Sequence, residues 1–346
     1  MRLAQLRQRL ADLGAKPCHQ DRVLRAWCGN GALDNRRSRA EDFLPAAVRA
    51  ALPEFLTEAD GLARAVSEHP GGDGSARLLV ALADGATVES VLLLREGLCV
   101  STQVGCAVGC RFCMTGRDGL LRQLGSAEIV AQVALARRRR PLRRVVFMGM
   151  GEPAHNLDNV LEAIEFLGTV GGIGHKNLVF STVGDRRVFD RLPAGPVKPA
   201  LALSLHSTRA DLRAALLPKA APIDPAELVE EGEIYARATG YPIQYQWTLL
   251  AGVNDGDDEA DAIVRLLKGR YAMMNFIPYN ANEGLGYARP SPERCAALVA
   301  TLMRHGILAK LRNSAGQDIE GGCGQLRARA LAGAAAPLRR VSGSAR

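Results

Sequence analysis

The segment Gly105–Cys113, GCAVGCRFC, places Cys106, Cys110 and Cys113 in a Cys-x3-Cys-x2-Cys loop directly after a predicted strand, Leu98–Gln103. Beyond it, strand-like runs at Arg144–Met148, Asn177–Thr182, Ala200–Leu205, Ile243–Leu250 and Met273–Pro278 alternate with helical patterns. The helical patterns fall at Ser126–Arg138, Asp158–Leu167, Ala210–Leu216, Pro225–Ala238 and Glu259–Lys268. Such alternation marks parallel βα units, arranged as a barrel or a doubly wound sheet, with Ile307–Leu311 as a candidate last strand.

Upstream of the loop, residues 1 to about 58 read as helical, with apolar spacings of three and four and punctuation at Pro17 and Pro53. HPGGDGS, His69–Ser75, is a loop by its glycines, and Ala76–Leu94 reads as two short strands around Ala83-Asp84-Gly85. The tail Arg327–Arg346 is small and basic and reads as disordered.

The bounds are those of an ordinary globular chain: 346 residues, 47% hydrophobic, 23% charged and 5% aromatic. No apolar run reaches the ~20 residues of a membrane helix. The start MRLAQLRQRLADLG is charged and amphipathic, without the apolar centre of a signal peptide, so a cytoplasmic protein is expected. Thiols stay reduced there, so the eight cysteines are not read as a disulfide framework. The net charge of +8 suits a polyanionic partner. Its densest cluster, Arg137–Arg140 with Arg143 and Arg144, has two readings: a solvated helix end offsetting the helix dipole, or a polyanion-facing patch.

Three thiolates this close can wrap one face of an iron–sulfur cube and leave one iron open. A structural zinc knuckle would need a fourth Cys or His nearby, and the nearest downstream histidines are His155 and His175. Downstream, GMGEP offers the Glu152 carboxylate to an ammonium group, or is simply a tight turn ended by Pro153. Ser181 and Ser204 end successive predicted strands, where functional residues of barrels collect. Cys99 lies seven residues before Cys106, and Cys323 is flanked by glycines that suit a reactive side chain better than a structural one. Glu89 alone reads as an outward strand carboxylate, and Cys18, Cys28 and Cys295 as small core residues.

The cysteine loop, with Phe112 before its last cysteine, resembles the cluster loop of radical S-adenosylmethionine (SAM) enzymes. CVSTQVGCAVGCRFCMTG, MGMGEPAHNLDNV, LALSLH, GVND, IPYN and DIEGGCGQL then follow in the order and spacing of the RlmN/Cfr family, from about Glu89 to Leu326. The resemblance implies a partial (βα)6-type radical SAM barrel, an α/β fold, spanning residues 98–326. An N-terminal helical accessory domain that binds RNA (1–68) and a β-hairpin adaptor (69–97) precede it, and the tail (327–346) follows.

It also implies a [4Fe–4S] cluster on Cys106, Cys110 and Cys113, with S-adenosyl-L-methionine on the open iron and reductive cleavage to a 5′-deoxyadenosyl radical. Gly151, Glu152, Ser181, Ser204, Leu205, His206 and Asn280 fall to the cofactor pocket. Cys323 is methylated by one SAM molecule. The radical from a second takes hydrogen from that methyl group, and the methylene radical adds to an adenine carbon. Cys99 resolves the crosslink through a transient disulfide with Cys323, and Glu89 matches the proton acceptor. The expected function is methylation of an adenosine, at carbon 2 in preference to carbon 8, in 23S rRNA or tRNA. An electron donor such as flavodoxin or ferredoxin and a monomeric chain are expected. The alternatives are a radical SAM enzyme acting on a protein or small molecule, and a zinc-dependent RNA-binding protein.

Four departures from the family pattern bear on the target. Gln246-Trp247 replaces Glu-Tyr, Val183 replaces a small polar residue, Ala315 stands where arginine or an aromatic is usual, and Asn280-Ala281-Asn282 replaces Asn-Pro.

Overall fold

The computed structural model describes residues 1–34, 39–280, 285–312 and 324–331. Four helices open the chain: α1 (Leu3–Asp12), α2 (Pro17–Trp27), α3 (Ala40–Phe43) and α4 (Ala46–Gly61). Their apolar stripes face one core, with Leu3, Leu6 and Leu10 from α1 and Val23, Leu24 and Trp27 from α2. Pro17 stands at the start of α2, where its missing N–H costs nothing. Pro53 does not punctuate as expected but lies inside α4. The buried Val48, Phe55 and Ala59 hold that helix to the core on either side of the proline, and tertiary packing overrides the local cost.

A hairpin series follows: β1 (Ala63–Pro70), β2 (Ala76–Leu82) and β3 (Thr87–Leu93), all antiparallel. β1 starts inside the stretch assigned to the helical unit and takes in His69 and Pro70 from the predicted loop. These strands continue into the main sheet, because β3 pairs with β4 (Gly97–Cys99).

The predicted strand Leu98–Gln103 is split. Val100 N–H still bonds the Val146 carbonyl, but the chain then leaves the sheet and forms β5 (Gln103–Gly105), paired with β6 (Leu120–Gln123) as a separate ribbon. Regular βα units follow: α5 (Ser126–Arg137), β7 (Arg144–Phe147), α6 (Leu157–Gly168), β8 (Leu178–Thr182), α7 (Arg186–Arg191) and β9 (Ala200–Ser204). Next come α8 (Ala210–Leu216), α9 (Pro225–Thr239), β10 (Ile243–Leu249), α10 (Asp257–Leu267), β11 (Ala272–Pro278), α11 (Pro292–Arg304), β12 (Leu308–Leu311) and α12 (Gln325–Leu331). The ten-stranded sheet runs β1-β2-β3-β4-β7-β8-β9-β10-β11-β12, parallel from β4 onward. Alternation divides its faces. Val145, Phe147, Phe180, Leu201, Leu203 and Trp247 join the large core, whereas Val91, Cys99, Val146, Val179 and Ala202 pack together on the opposite face.

The arginine run at the end of α5 makes contacts within the chain, while Arg138, Arg139 and Arg143 remain exposed. Arg137 donates to the Cys28 and Gly171 carbonyls at 3.1 and 2.7 Å. Arg138 pairs with Asp60 of α4, Arg139 with Glu68 of β1 at 3.1 Å, and Arg140 donates to the Leu93 carbonyl of β3 at 2.9 Å. Four consecutive arginines thus tie α5 to four different N-terminal elements. Cys18 also departs from expectation, being exposed, while Cys28 and Cys295 are buried.

Candidate active site

The loop after β5 carries the three cysteines, and its backbone is fixed at both ends. Cys106 N–H bonds the Gly119 carbonyl at 2.9 Å, and Arg111 N–H bonds the Leu216 carbonyl at 3.0 Å. Cys106 is buried, and Cys110 and Cys113 are half-buried. Burial pushes the Cys106 thiol up to about 12, with the nearby Glu152 and Cys113 adding to the rise. Cys110 is raised well above the usual thiol range by burial and then by its two neighbours. Thiols held together against their own ionisation need a strongly positive group to become thiolates, which an iron–sulfur cluster supplies. Among the described residues, no three His, Cys, Asp or Glu side chains converge as one ion would require.

Glu152 follows β7 and is buried. Its N–H bonds Gln103 Oε1 at 2.7 Å, and its carboxylate accepts from Ala154 N–H and Val183 N–H, each at 3.0 Å. Burial pushes its pKa up to about 7, against the pull of these donors. Such a carboxyl gains from a cationic neighbour, as the ammonium of an amino acid would be. Gly151 before it has φ 102°, and a Cβ there would lie 2.6 Å from the Gln103 side chain, so only glycine allows the turn.

His206 caps the end of β9 with φ 60°, a left-handed conformation that costs energy for any residue with a Cβ. Its Nδ1 accepts from Thr248 N–H at 2.9 Å, and its carbonyl accepts from Asn254 Nδ2 at 2.7 Å. Phe112 of the cysteine loop meets its ring edge-on, with centroids 4.8 Å apart. Burial, with the Arg213 charge second, lowers its pKa to about 3, so the imidazole is neutral.

These elements enclose one cavity of about 290 Å³. Cys106, Cys110, Cys113, Gly151, Glu152, Ser181, Ser204, His206 and Asn280 all line it. Leu205 does not: it is fully buried, and its N–H bonds the Gln246 carbonyl. Cys99 is also outside the lining, buried beside Val91 and Val146, yet it shares a cluster with Met148, which does line the cavity. Glu89 is not the outward carboxylate of an exposed strand, being 2% exposed. Cys323 and Ala315 lie outside the described residues.

A family model described as the Radical SAM superfamily matches residues 100–267. A probable RNA methyltransferase of Azoarcus sp. strain BH72 is 72% identical over 331 residues, 96% of this chain and 95% of that one. Another, of Pseudomonas aeruginosa PAO1, is 69% identical over 97% of both chains. The crystal structure of a radical SAM methyltransferase from Sphaerobacter thermophilus matches with a TM-score of 0.81 and 35% identity, covering 94% of this chain and 97% of that one. The chain belongs to the RlmN/Cfr family of radical SAM methyltransferases.

A radical SAM methyltransferase uses a [4Fe–4S] cluster and SAM, and the donor set and cavity fit both. The sequence left several residues of this RlmN/Cfr-type site unassigned. Buried Arg213 donates to the Ser204 carbonyl at 3.3 Å and to the Val183 carbonyl, tying two strand ends together. Asn254, in the GVND motif, holds the His206 and Thr248 carbonyls and accepts from Leu250 N–H. The motif itself was the available signal, and only its partners were hidden.

Proposed function

We propose that this chain methylates an adenosine in structured RNA, ribosomal or transfer, at carbon 2, with carbon 8 as the alternative position. The observation that carries this is the single cavity joining the three loop cysteines to Glu152 and the strand-end Ser181, Ser204 and His206. Its family context is relatives named as probable RNA methyltransferases. The net charge of +8 favours a polyanion.

In this reading Cys106, Cys110 and Cys113 hold the cluster. Glu152, Gly151, Ser181, Ser204, His206 and Asn280 hold SAM, with Leu205 supporting them through its backbone. The bound cluster and SAM supply the electron, the methyl group and the hydrogen-abstracting radical. Cys323 carries the methyl group and, after losing one hydrogen atom, adds to the base carbon as a methylene radical; the adduct loses the ring proton from that carbon and one electron, which the bound cluster would accept. Cys99 then attacks the Cys323 sulfur. The S–S bond forms and the S–C bond breaks. Its electron pair stays on carbon, which takes a proton and becomes the methyl group. A carrier thiol suits a base carbon too poor in nucleophilicity for direct transfer.

The test is anaerobic reconstitution with reductant, methyl-labelled SAM, and 23S rRNA or tRNA lacking the modification, followed by mass mapping. Label on one adenosine carbon is expected. SAM cleavage with no label in either RNA would turn the reading toward a protein or small-molecule substrate.

A further inference from the structure

Glu89 sits on β3 two residues before Val91, which pairs directly with Cys99 on β4. Ser90 between them turns the other way and donates to Gln132 of α5. Alternation therefore puts Glu89 on the face that carries Cys99. Its carboxylate is wholly engaged. Oε2 accepts from Arg77 Nη1 at 3.1 Å, and the two side chains are 2% and 3% exposed. Oε1 accepts from Arg327 N–H at 2.9 Å, and the nearby backbone of Gly324 and Leu326 also favours the charged carboxylate.

The other side of the same short segment rests on the cysteine loop. Gly324 has φ 87°, and a Cβ there would come within 2.7 Å of Thr115 N and Oγ1, two residues past Cys113. Residues 324–327 are thus gripped between β3 and the cluster loop, the ion pair on one side and Thr115 on the other. Burial raises the Glu89 pKa against the pull of Arg77 and this backbone, so what withholds the carboxylate from a substrate is its burial and its engagement.

We propose that Arg77 and Glu89 act as a positioning pair, anchoring the backbone of Gly324–Arg327 beside the cluster loop and so constraining the residue covalently before it, Cys323. Glu89 is then a positioning residue in the arrangement seen here, and Arg77 shares its role. The consequence for methylation rests on the carrier role of Cys323 proposed above, whereas the anchoring does not.

The experiment uses the anaerobic, cluster-loaded full chain and three readouts. These are hydrogen–deuterium exchange of peptides covering 324–328, the methyl content of residue 323 by peptide mass, and labelled RNA product. The variants are Glu89→Gln, Arg77→Met, Arg77→Lys and the double variant Arg77→Met/Glu89→Gln. The double variant leaves no unpaired buried charge and so protects against simple unfolding. Cluster content and RNA-independent SAM cleavage within about twofold of the parent show that the fold is intact. Losing one charge-assisted bond should speed exchange at 324–328 by about tenfold or more in Glu89→Gln, Arg77→Met and the double variant. Methyl content at residue 323 should fall with it, and Arg77→Lys should restore part of both. If Glu89 acts only as a proton acceptor, Glu89→Gln keeps both protection and the methyl group and loses only RNA product, and Arg77→Met loses neither protection nor methyl. Parent-like exchange in Glu89→Gln and the double variant overturns the anchor. A parent chain with no methyl at residue 323 overturns the carrier role instead, and the exchange comparison still decides the anchor.

Discussion

Replacing Arg137 by alanine separates a structural role of the arginine run from an RNA-binding one. Arg137 leaves the last turn of α5 and donates to the Cys28 and Gly171 carbonyls, with a further contact to Cys28 Sγ at 3.3 Å. Its stem packs on Gly29, where an added Cβ would lie 3.1 Å from the Arg137 Cβ. Each bond from a charged donor contributes about 1.5–3 kcal/mol, and truncation leaves two carbonyls without their partner. The side chain is only half-buried, so water recovers part of this, and about 3 kcal/mol is a reasonable net loss. An unfolding entropy of about 2.1 cal/mol/K per residue over 346 residues gives roughly 0.7 kcal/mol/K, so the melting midpoint should fall by about 4 °C. Thermal melting of the anaerobic chain measures this. Affinity for a substrate RNA across a series of salt concentrations measures the alternative. A lost phosphate contact lowers the salt slope by about 0.7–0.9, and the expectation is no change. A midpoint within about 1 °C of the parent, with a slope reduced by that amount, would refute the structural reading.

Three other outcomes follow from the site. Cys110→Ala should lose both the brown cluster absorbance and SAM cleavage, and full occupancy with retained cleavage would remove the ligand assignment. Cys323→Ala should give neither product nor adduct, whereas Cys99→Ala should stall as protein joined to RNA through Cys323; denaturing gels after nuclease digestion, with peptide mass analysis, distinguish the two. His206 has a folded pKa near 3, against an ordinary value of 6.5, so the unfolded chain binds the extra proton between these values. Stability is therefore fully present above about pH 6.5 and lost as pH falls, by roughly 2 kcal/mol at pH 5. Urea midpoints between pH 7 and 5 should show His206→Gln with a flatter decline, and parallel curves would contradict it.

What was legible in the sequence is what local periodicity and ligand chemistry encode. The parallel series from β7 to β12 follows the predicted strands to within a residue at every end, since each is an apolar run bounded by turns. The three cysteines were legible because their spacing is a property of one loop. What failed was set by partners distant in the chain. Nothing around Arg138 announces Asp60, and nothing around Arg139 announces Glu68, so the ion pairs of these two arginines could not be read from the run itself. Glu89 shows the same limit more sharply. Its neighbours Val88 and Ser90 describe a strand, but its environment is made by Arg77 across β2 and by backbone 238 residues downstream. Desolvation turns such a carboxylate from a solvated group into one whose every lone pair must be answered. A motif can therefore identify Glu89 as important, whereas its environment is defined by the groups that answer those lone pairs, and here they are Arg77 and the segment that begins one residue after Cys323.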